Sequence, residues 1–426
     1  MANFSQLNLC PELQFTLEQL GYKQTTEIQA KAIPVILAGS DILAQAQTGT
    51  GKTAGFALPM IEKLRQRQQT NDYHPIRGLV LTPTRELAIQ VADKTLSYGS
   101  ELGMRVVSVY GGVRFDNQIR KMKRGADILV ATPGRLLEML IQRKFSLDQL
   151  EILVFDEADR MLDLGFIHDI NRIMSFAPKT RQTLLFSATY NDKIESWASS
   201  VLNNPQKISV SPSNSAAKKV QQLAYKVDNS SKEEVLIHLI TSGNWKQTLV
   251  FTRTKRRADK VATALIDAGI NAMAIHGDKL QKERIEALTA FSEQQLDVLV
   301  ATDVAARGLD IEALPRVVNF DLPNQSEAYV HRIGRTARAG KSGQAISFVA
   351  PDERQYLLEI EKLLGKQLQF HSIPLLEKGK LISEKAAGIK RANNSKRKTA
   401  KAKFIAPELE KTNKPALRPS LLSKKK

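Results

Sequence analysis

Short apolar runs recur along the chain and alternate with longer stretches of helical period. The first set covers residues 41–44, 78–81, 105–110, 128–131, 152–155 and 183–186. The second covers 248–251, 272–275, 298–301, 317–320 and 345–349. Most are dense in Val, Ile and Leu without alternation, which marks strands covered on both faces. Strands alternating with helices predict parallel α/β units. The two sets echo each other. QTLLF at 182–186 matches QTLVF at 247–251, and ADILVAT at 126–132 matches LDVLVAT at 296–302. Two copies of one α/β unit is the simplest account. Between them, from Asn203 to Lys219, lies a stretch rich in Ser, Asn and Pro with no apolar period, read as the interdomain linker. The expected division is a first domain at 1–207, a linker at 208–219, a second domain at 220–368 and a tail at 369–426.

A length of 426 residues suits two domains with extra segments. Apolar content of 42% and charged content of 25% fit an ordinary globular chain. No apolar run approaches the roughly 20 residues that span a bilayer, and residues 1–10 lack the pattern of a signal peptide. A cytoplasmic protein without membrane contact is the expectation. The single cysteine, Cys10, rules out an internal disulfide framework and a cysteine-based metal site. The six histidines are not paired at helical ligand spacing, which argues against zinc. Net charge is +18 and unevenly placed. From His371 onward there are 16 Lys and Arg against 4 Asp and Glu, so the tail carries +12 and the preceding 370 residues share the other +6. A basic tail of low aromatic content is expected to be disordered and to meet a polyanion, with nucleic acid the first candidate over a merely solubilising role.

In open parallel sheets ligands bind at the carboxyl ends of strands, so the turns after each run carry the functional signal. The most specific is Ala46-Gln47-Thr48-Gly49-Thr50-Gly51-Lys52-Thr53, between a short strand and the helical pattern of 54–64. Glycines 49 and 51 let backbone N–H groups approach phosphate, Lys52 can reach the β- and γ-phosphates, and the Thr53 hydroxyl can bind Mg²⁺. The strict phosphate-loop pattern has glycine where Ala46 stands, and a chance Gly-Lys-Thr is the bland alternative. The second turn reduces that alternative. The apolar run 152–155 ends in Asp156-Glu157-Ala158-Asp159. Two acids at the tip of a buried strand cost free energy unless they have work. Asp156 as a Mg²⁺ partner and Glu157 as the base that deprotonates water supply that work. The pair of turns reads as an ATPase.

With Asp156–Asp159 spelling DEAD, the chain resembles the DEAD-box RNA helicases from about residue 4 to residue 350, with the motifs in the family's order, and is most similar to the bacterial RhlE-like group. The resemblance implies two tandem RecA-like parallel-sheet domains joined by a linker. It also implies adenine recognition by a motif within residues 2–30. Gln29 is its glutamine, Tyr22 lies within it, and Phe4 is the upstream aromatic. Thr25 stands where the family usually has proline. A glutamine amide suits the adenine edge. Pro83, Thr84, Arg85, Gly112, Thr132, Pro133, Gly134 and Arg135 match turns that hold the RNA backbone, as do Arg253, Gly277, Gln281, Arg284, Thr302 and Asp303 in the second half. Hydroxyl, arginine and glycine-backbone donors suit phosphate oxygens. Without a row of stacking aromatics, little sequence specificity is expected. Ser187, Thr189, Asp159 and His331 match the residues that couple the two ligands, and Asp310 the one near the ribose. The run from His331 to Arg338 sets Arg332, Arg335 and Arg338 three apart, on one face if helical, with no acid near in sequence. Arg335 and Arg338 resemble arginine fingers, worth about 10³–10⁵ in rate.

The expected activity is RNA-stimulated ATP hydrolysis coupled to local unwinding or remodelling of RNA duplexes and RNA–protein complexes, with ATP and Mg²⁺ as cofactors. The phosphate grip and the arginines belong to different halves, so the site is complete only when the halves close. The protein is expected to be a monomer, with ribosomal or mRNA-decay complexes as settings. An ATP-gated RNA clamp or chaperone and a DNA helicase or translocase are the alternatives.

Overall fold

The computed structural model describes residues 3–46, 49–65, 74–210, 220–306, 314–336, 343–372, 376–377 and 380–381. Residues 1–382 pack as one compact unit. Its first sheet has seven strands: β1 Ile42–Gln45, β2 Gly78–Leu81, β3 Val106–Val109, β4 Ile128–Ala131, β5 Ile152–Phe155, β6 Gln182–Ser187 and β7 Gln206–Ser209. They lie in the order β3-β4-β2-β5-β6-β1-β7, every pair parallel. The second sheet has six: β8 Val220–Lys226, β9 Thr248–Thr252, β10 Ala272–Ile275, β11 Val298–Thr302, β12 Arg316–Asn319 and β13 Gly343–Val349. Their order is β10-β11-β9-β12-β13-β8, again all parallel. Helices cover both faces, and each sheet is buried between two apolar clusters. Two tandem RecA-like domains are therefore present.

The strand orders show which of the sequence echoes is structural. β4 sits between β3 and β2, and β11 sits between β10 and β9, so the ADILVAT and LDVLVAT runs are true counterparts. The QTLLF and QTLVF runs are not, because β6 stands near the far edge of its sheet while β9 corresponds to β2. Buried strands converge on the same few residues, and five-letter matches follow from that.

Two strands were hidden in the sequence. β7 lies inside the stretch read as linker from Asn203, so the expected linker at 208–219 begins within a strand. β7 pairs with β1 from Gln206 to Ser209 yet buries only Ile208. β8 pairs with β13 over seven residues. Both are edge strands, where one half of the backbone faces no partner and apolar content is low. The tail also starts later than expected. Ala224 of β8 accepts from the His371 N–H at 2.8 Å and donates to the Gln369 carbonyl at 3.1 Å. A small antiparallel hairpin, Leu376–Glu377 with Lys380–Leu381, follows. Among the described residues, no helix is long and apolar enough to cross a membrane.

Candidate active site at the facing strand ends

The helix Lys52–Leu64 begins directly after Gly51, whose φ of +90° is the left-handed turn that glycine allows without strain. A Cβ at Gly51 would stand 2.4 Å from Gln29 Nε2, so the close approach also demands glycine. Gln29 is 2% exposed. Its Oε1 accepts from the Thr26 N–H at 2.9 Å, and its Nε2 donates to the Gly51 carbonyl at 3.0 Å. The residue expected to read adenine thus also ties the helix Glu27–Leu37 to the phosphate loop. Tyr22 faces the same small cavity of about 190 Å³ as Gln29, Lys52, Thr53, Asp156 and Glu157. Phe4 does not line that cavity. It packs edge-on against Tyr22 with ring centroids 6.0 Å apart, and the Tyr22 hydroxyl meets that of Tyr98 at 2.8 Å. Ala46 keeps the loop's strand bond, its N–H donating to the Ser187 carbonyl at 2.9 Å, so the missing glycine costs no backbone contact.

At the tip of β5, Asp156 is 3% and Glu157 6% exposed. Burial pushes the Asp156 carboxyl up to about 6, against the opposing pull of Lys52. Lys52 Nζ and Asp156 Oδ1 lie 3.8 Å apart, an ion pair too long for a hydrogen bond, and neither atom has a hydrogen-bond partner among the described residues. Buried charges without hydrogen bonds are costly. An unsatisfied ammonium beside an unsatisfied carboxylate fits a phosphate on one side and a divalent cation on the other. Among the described residues no three His, Cys, Asp or Glu cluster as a metal cage. That fits Mg²⁺, which takes one or two carboxylates and leaves the rest to phosphate and water.

Asp159 reaches β6. Its Oδ2 accepts from both the N–H and the hydroxyl of Thr189 at 3.1 Å. Ser187 does not join that contact. Its hydroxyl donates to the Thr189 carbonyl at 2.7 Å and shapes the turn instead. A cavity of about 420 Å³ opens beside these residues, lined by Glu157, Asp159 and Thr189 of the first domain and by Gln325, Glu327 and His331 of the second. The helix Ser326–Ile333 therefore faces the acidic strand end.

The run from His331 departs from the sequence expectation. The helix stops at Ile333, so Arg332 and Arg335 do not share a helical face. Arg332 is 1% exposed and grips Asp303 with two bonds, at 2.6 and 2.7 Å. The acid that seemed missing near this run comes from 29 residues upstream. The same bonds occupy both Asp303 oxygens, which were expected on RNA. Arg335 is 2% exposed. Gln47, Thr48, Asp310 and Arg338 lie outside the described residues.

The turns expected to hold RNA stand on the carboxyl ends of β2, β3 and β4 and of β9, β10 and β11. Two of them are built alike. Thr82 Oγ1 donates to the Thr84 carbonyl, and Thr252 Oγ1 to the Thr254 carbonyl, both at 3.2 Å. Thr84 and Thr254 then cap their helices by accepting from Leu87 N–H at 3.3 Å and Arg257 N–H at 3.2 Å. Pro83 is buried just before the Thr84 cap. Thr132 precedes the helix Pro133–Ile141, whose first residue is the proline that suits that position. Gly134 is exposed there, and Gly112 turns at φ +79° against the Arg85 guanidinium. Gly277 is exposed, Thr302 is 6% exposed, and Arg253 is partly exposed with its guanidinium held by Glu353.

Gln281 and Arg284 were expected on RNA, but here both are buried against the first domain. Gln281 Nε2 donates to Glu86 Oε1 at 3.1 Å, and Arg284 pairs with the same oxygen at 2.9 Å. Glu86 was not singled out from sequence. Its signal was an acid in the first turn of the helix after β2, beside Arg85, which can pair only with something outside its own helix.

Residues 26–197 match the DEAD/DEAH box helicase family, and 231–340 match the helicase conserved C-terminal domain. The ATP-dependent RNA helicase CshA of Listeria monocytogenes is 44% identical over 369 residues, spanning 87% of this chain and 70% of that protein. The chain belongs to the DEAD-box ATP-dependent RNA helicases. The RhpA helicase of Helicobacter pylori is 40% identical, over 89% of this chain and 76% of its own length. Among solved structures, S. cerevisiae Dbp5 bound to RNA and ADP BeF3 superposes on this helicase with a TM-score of 0.78 at 30% identity, covering 88% of this chain and 96% of that one. Mss116 bound to ssRNA and UDP-BeF gives 0.79 at 28% identity, covering 88% and 81%. This DEAD-box helicase is thus an ATP-hydrolysing enzyme acting on RNA.

Proposed function

We propose that this helicase assembles one ATPase centre from both domains, and that RNA-stimulated hydrolysis in it drives local strand separation or remodelling. The shared cavity that sets Glu157, Asp159 and Thr189 opposite His331 carries this reading. Gln29, Tyr22 and the loop from Ala46 to Thr53 hold the nucleotide, with Asp310 at its ribose. Lys52 holds the β- and γ-phosphates. Thr53 and Asp156 would hold Mg²⁺, which when bound neutralises charge on the phosphate oxygens. Glu157 takes the proton of the attacking water while the water oxygen bonds to the γ-phosphorus and ADP leaves. Arg335 and Arg338 offset the charge that spreads over the transferring group. Asp159, Thr189, Ser187 and His331 pass the nucleotide state to the RNA-facing turns. Closure joins both ligands, so each raises the affinity of the other by the same factor.

Both halves of the centre lie on one chain, so a monomer suffices. The setting is cytoplasmic, with ribosomal or mRNA-decay complexes as targets. ATP turnover with and without single-stranded RNA at low salt tests the activity. Stimulation is expected, and its absence removes the coupling.

A further inference from the structure

β3 is an outer edge of the first sheet, and the helix Phe115–Met122 follows it in the chain. This helix is tied to the RNA-facing turns at its start. Arg135 donates from both terminal nitrogens to the Val113 carbonyl at 3.3 Å, and its guanidinium lies 5.5 Å from the Phe115 ring. Gln118, buried, exchanges two hydrogen bonds with the Tyr110 backbone at 2.8 and 3.0 Å. The inner face is therefore fixed by Gln118 and Met122.

The outer face is the unusual part. Arg114, Arg120, Lys121, Lys123 and Arg124 are all exposed, and none is paired with a carboxylate among the described residues. Asp116 is the only acid from 114 to 124. Some exposed lysines elsewhere do pair with acids, as Lys207 does with Glu195, Lys255 with Asp278, Lys260 with Glu233 and Lys246 with Asp297, whereas none of these five clustered cations does. Beside the cations lies a cavity of about 170 Å³, walled by Ile119, Met122, Met139 and Phe145 and flanked by Lys123 and Lys144. Unpaired cations next to an apolar, aromatic ledge suit single-stranded nucleic acid, whose phosphates need charge and whose bases need a flat apolar surface.

We propose that the outer face of the helix Phe115–Met122 is a second RNA-binding surface. Single-stranded RNA leaving the track across the strand ends sets its phosphates on Arg120, Lys121, Lys123 and Arg124, with a base against Phe145. The proposal rests on the RNA-stimulated reading above and adds the path of the flanking strand. It places affinity outside the segment that closure grips. The helicase then stays on a transcript while the central track opens and closes.

The test uses the full chain and two probes. One is the shortest single-stranded RNA that fully stimulates ATP turnover, and the other is the same RNA with single-stranded extensions on both sides. In the wild type, extension tightens binding and steepens its salt dependence. In Arg120→Glu/Lys121→Glu/Lys123→Glu, affinity for the extended probe is expected to fall about tenfold or more. The log–log salt slope should shrink by about 2, since each single-strand phosphate contact contributes about 0.7. Binding of the short probe should not change. Arg120→Lys/Arg124→Lys should keep the full gain, and 4-thiouridine in an extension should crosslink to residues 115–124. An unchanged gain in the triple variant overturns the proposal and leaves the patch to an acidic protein partner. An equal loss for both probes also overturns it, because the helix would then only support the central track. Absence of RNA stimulation in the wild type is the separate failure of the parent reading.

Discussion

Glu157 turns the chain into the left-handed region, at φ 54° and ψ 54°, immediately after β5. For a residue with a Cβ this costs about 1–2 kcal/mol. Its neighbours in the chain, Asp156 and Ala158, are both buried, so surrounding packing holds the turn in place. Strain of this kind persists where the fold over-determines it, and it gathers at reacting groups. Glu157→Gln keeps size and backbone but removes the proton acceptor. Single-turnover hydrolysis is expected to slow by about 10²–10⁴, with nucleotide titration showing ATP still bound. Normal turnover would strip Glu157 of its part. Lys52 was legible as part of a Gly-Lys-Thr turn and the two acids as carboxylates at the tip of an apolar strand, and the letters DEAD then added the family. Neither the turn at Glu157 nor the missing hydrogen bonds of Lys52 Nζ and Asp156 Oδ1 was legible. Both depend on residues distant in the chain, Leu81 of β2, whose carbonyl accepts from the Asp156 N–H at 3.0 Å, and Lys52, which no local window around Asp156 contains. Glu86 was illegible for the same reason, since its partners are 195 and 198 residues away.

Among the elements, the interior strands were legible because a strand covered on both faces must be apolar throughout. β7 and β8 were not, because an edge strand needs few apolar residues and its pairing is carried by backbone. The helix Ser326–Ile333 was read too long. Regular spacing of Arg332 and Arg335 suggested a continuous face, whereas Thr336 bonds the Leu314 carbonyl and closes the segment differently. The N-terminal element offers its own probe. Cys10 is 5% exposed, its N–H donates to Glu62 at 2.7 Å, and burial pushes the thiol up to about 11. At pH 8 only about one thiol in 10³ is then ionised, and the thiolate is the reactive form. Alkylation of the folded helicase should be slow, and Phe4→Ala, by loosening the segment that packs on Tyr22, should speed it. Equal rates in both proteins would mean that Phe4 does not hold this element down.

For the molecule as a whole, the Glu86 cluster is the contact that exists only when the domains meet. Arg284 is 7% exposed, and burial pulls its pKa down while Glu86 pulls it back. Removing one member of a buried pair costs about 3–5 kcal/mol, but here both groups regain water when the domains part. That cost therefore falls on closure rather than on folding. Arg284→Met and Glu86→Gln should each lower ATP–RNA coupling by about tenfold or more, and the double variant should lose little beyond either one. Full additivity in that cycle would show that the two act independently. Deleting residues 382–426 should weaken RNA binding and flatten its salt dependence, since most of the chain's net charge sits in the tail. An unchanged slope would leave the tail without a part in RNA binding.

β7 gives the chain's exit from the first domain an unusual anchorage. It lies beside β1, the strand that leads into the phosphate loop. Lys31 fastens the Ser209 carbonyl at 3.2 Å, and the Ser209 hydroxyl bonds Gln45 at the same distance. The last described residues of the first domain are thus bonded to the strand that leads into the phosphate loop, so a pull on Val210 is borne by β1 as well as by β7.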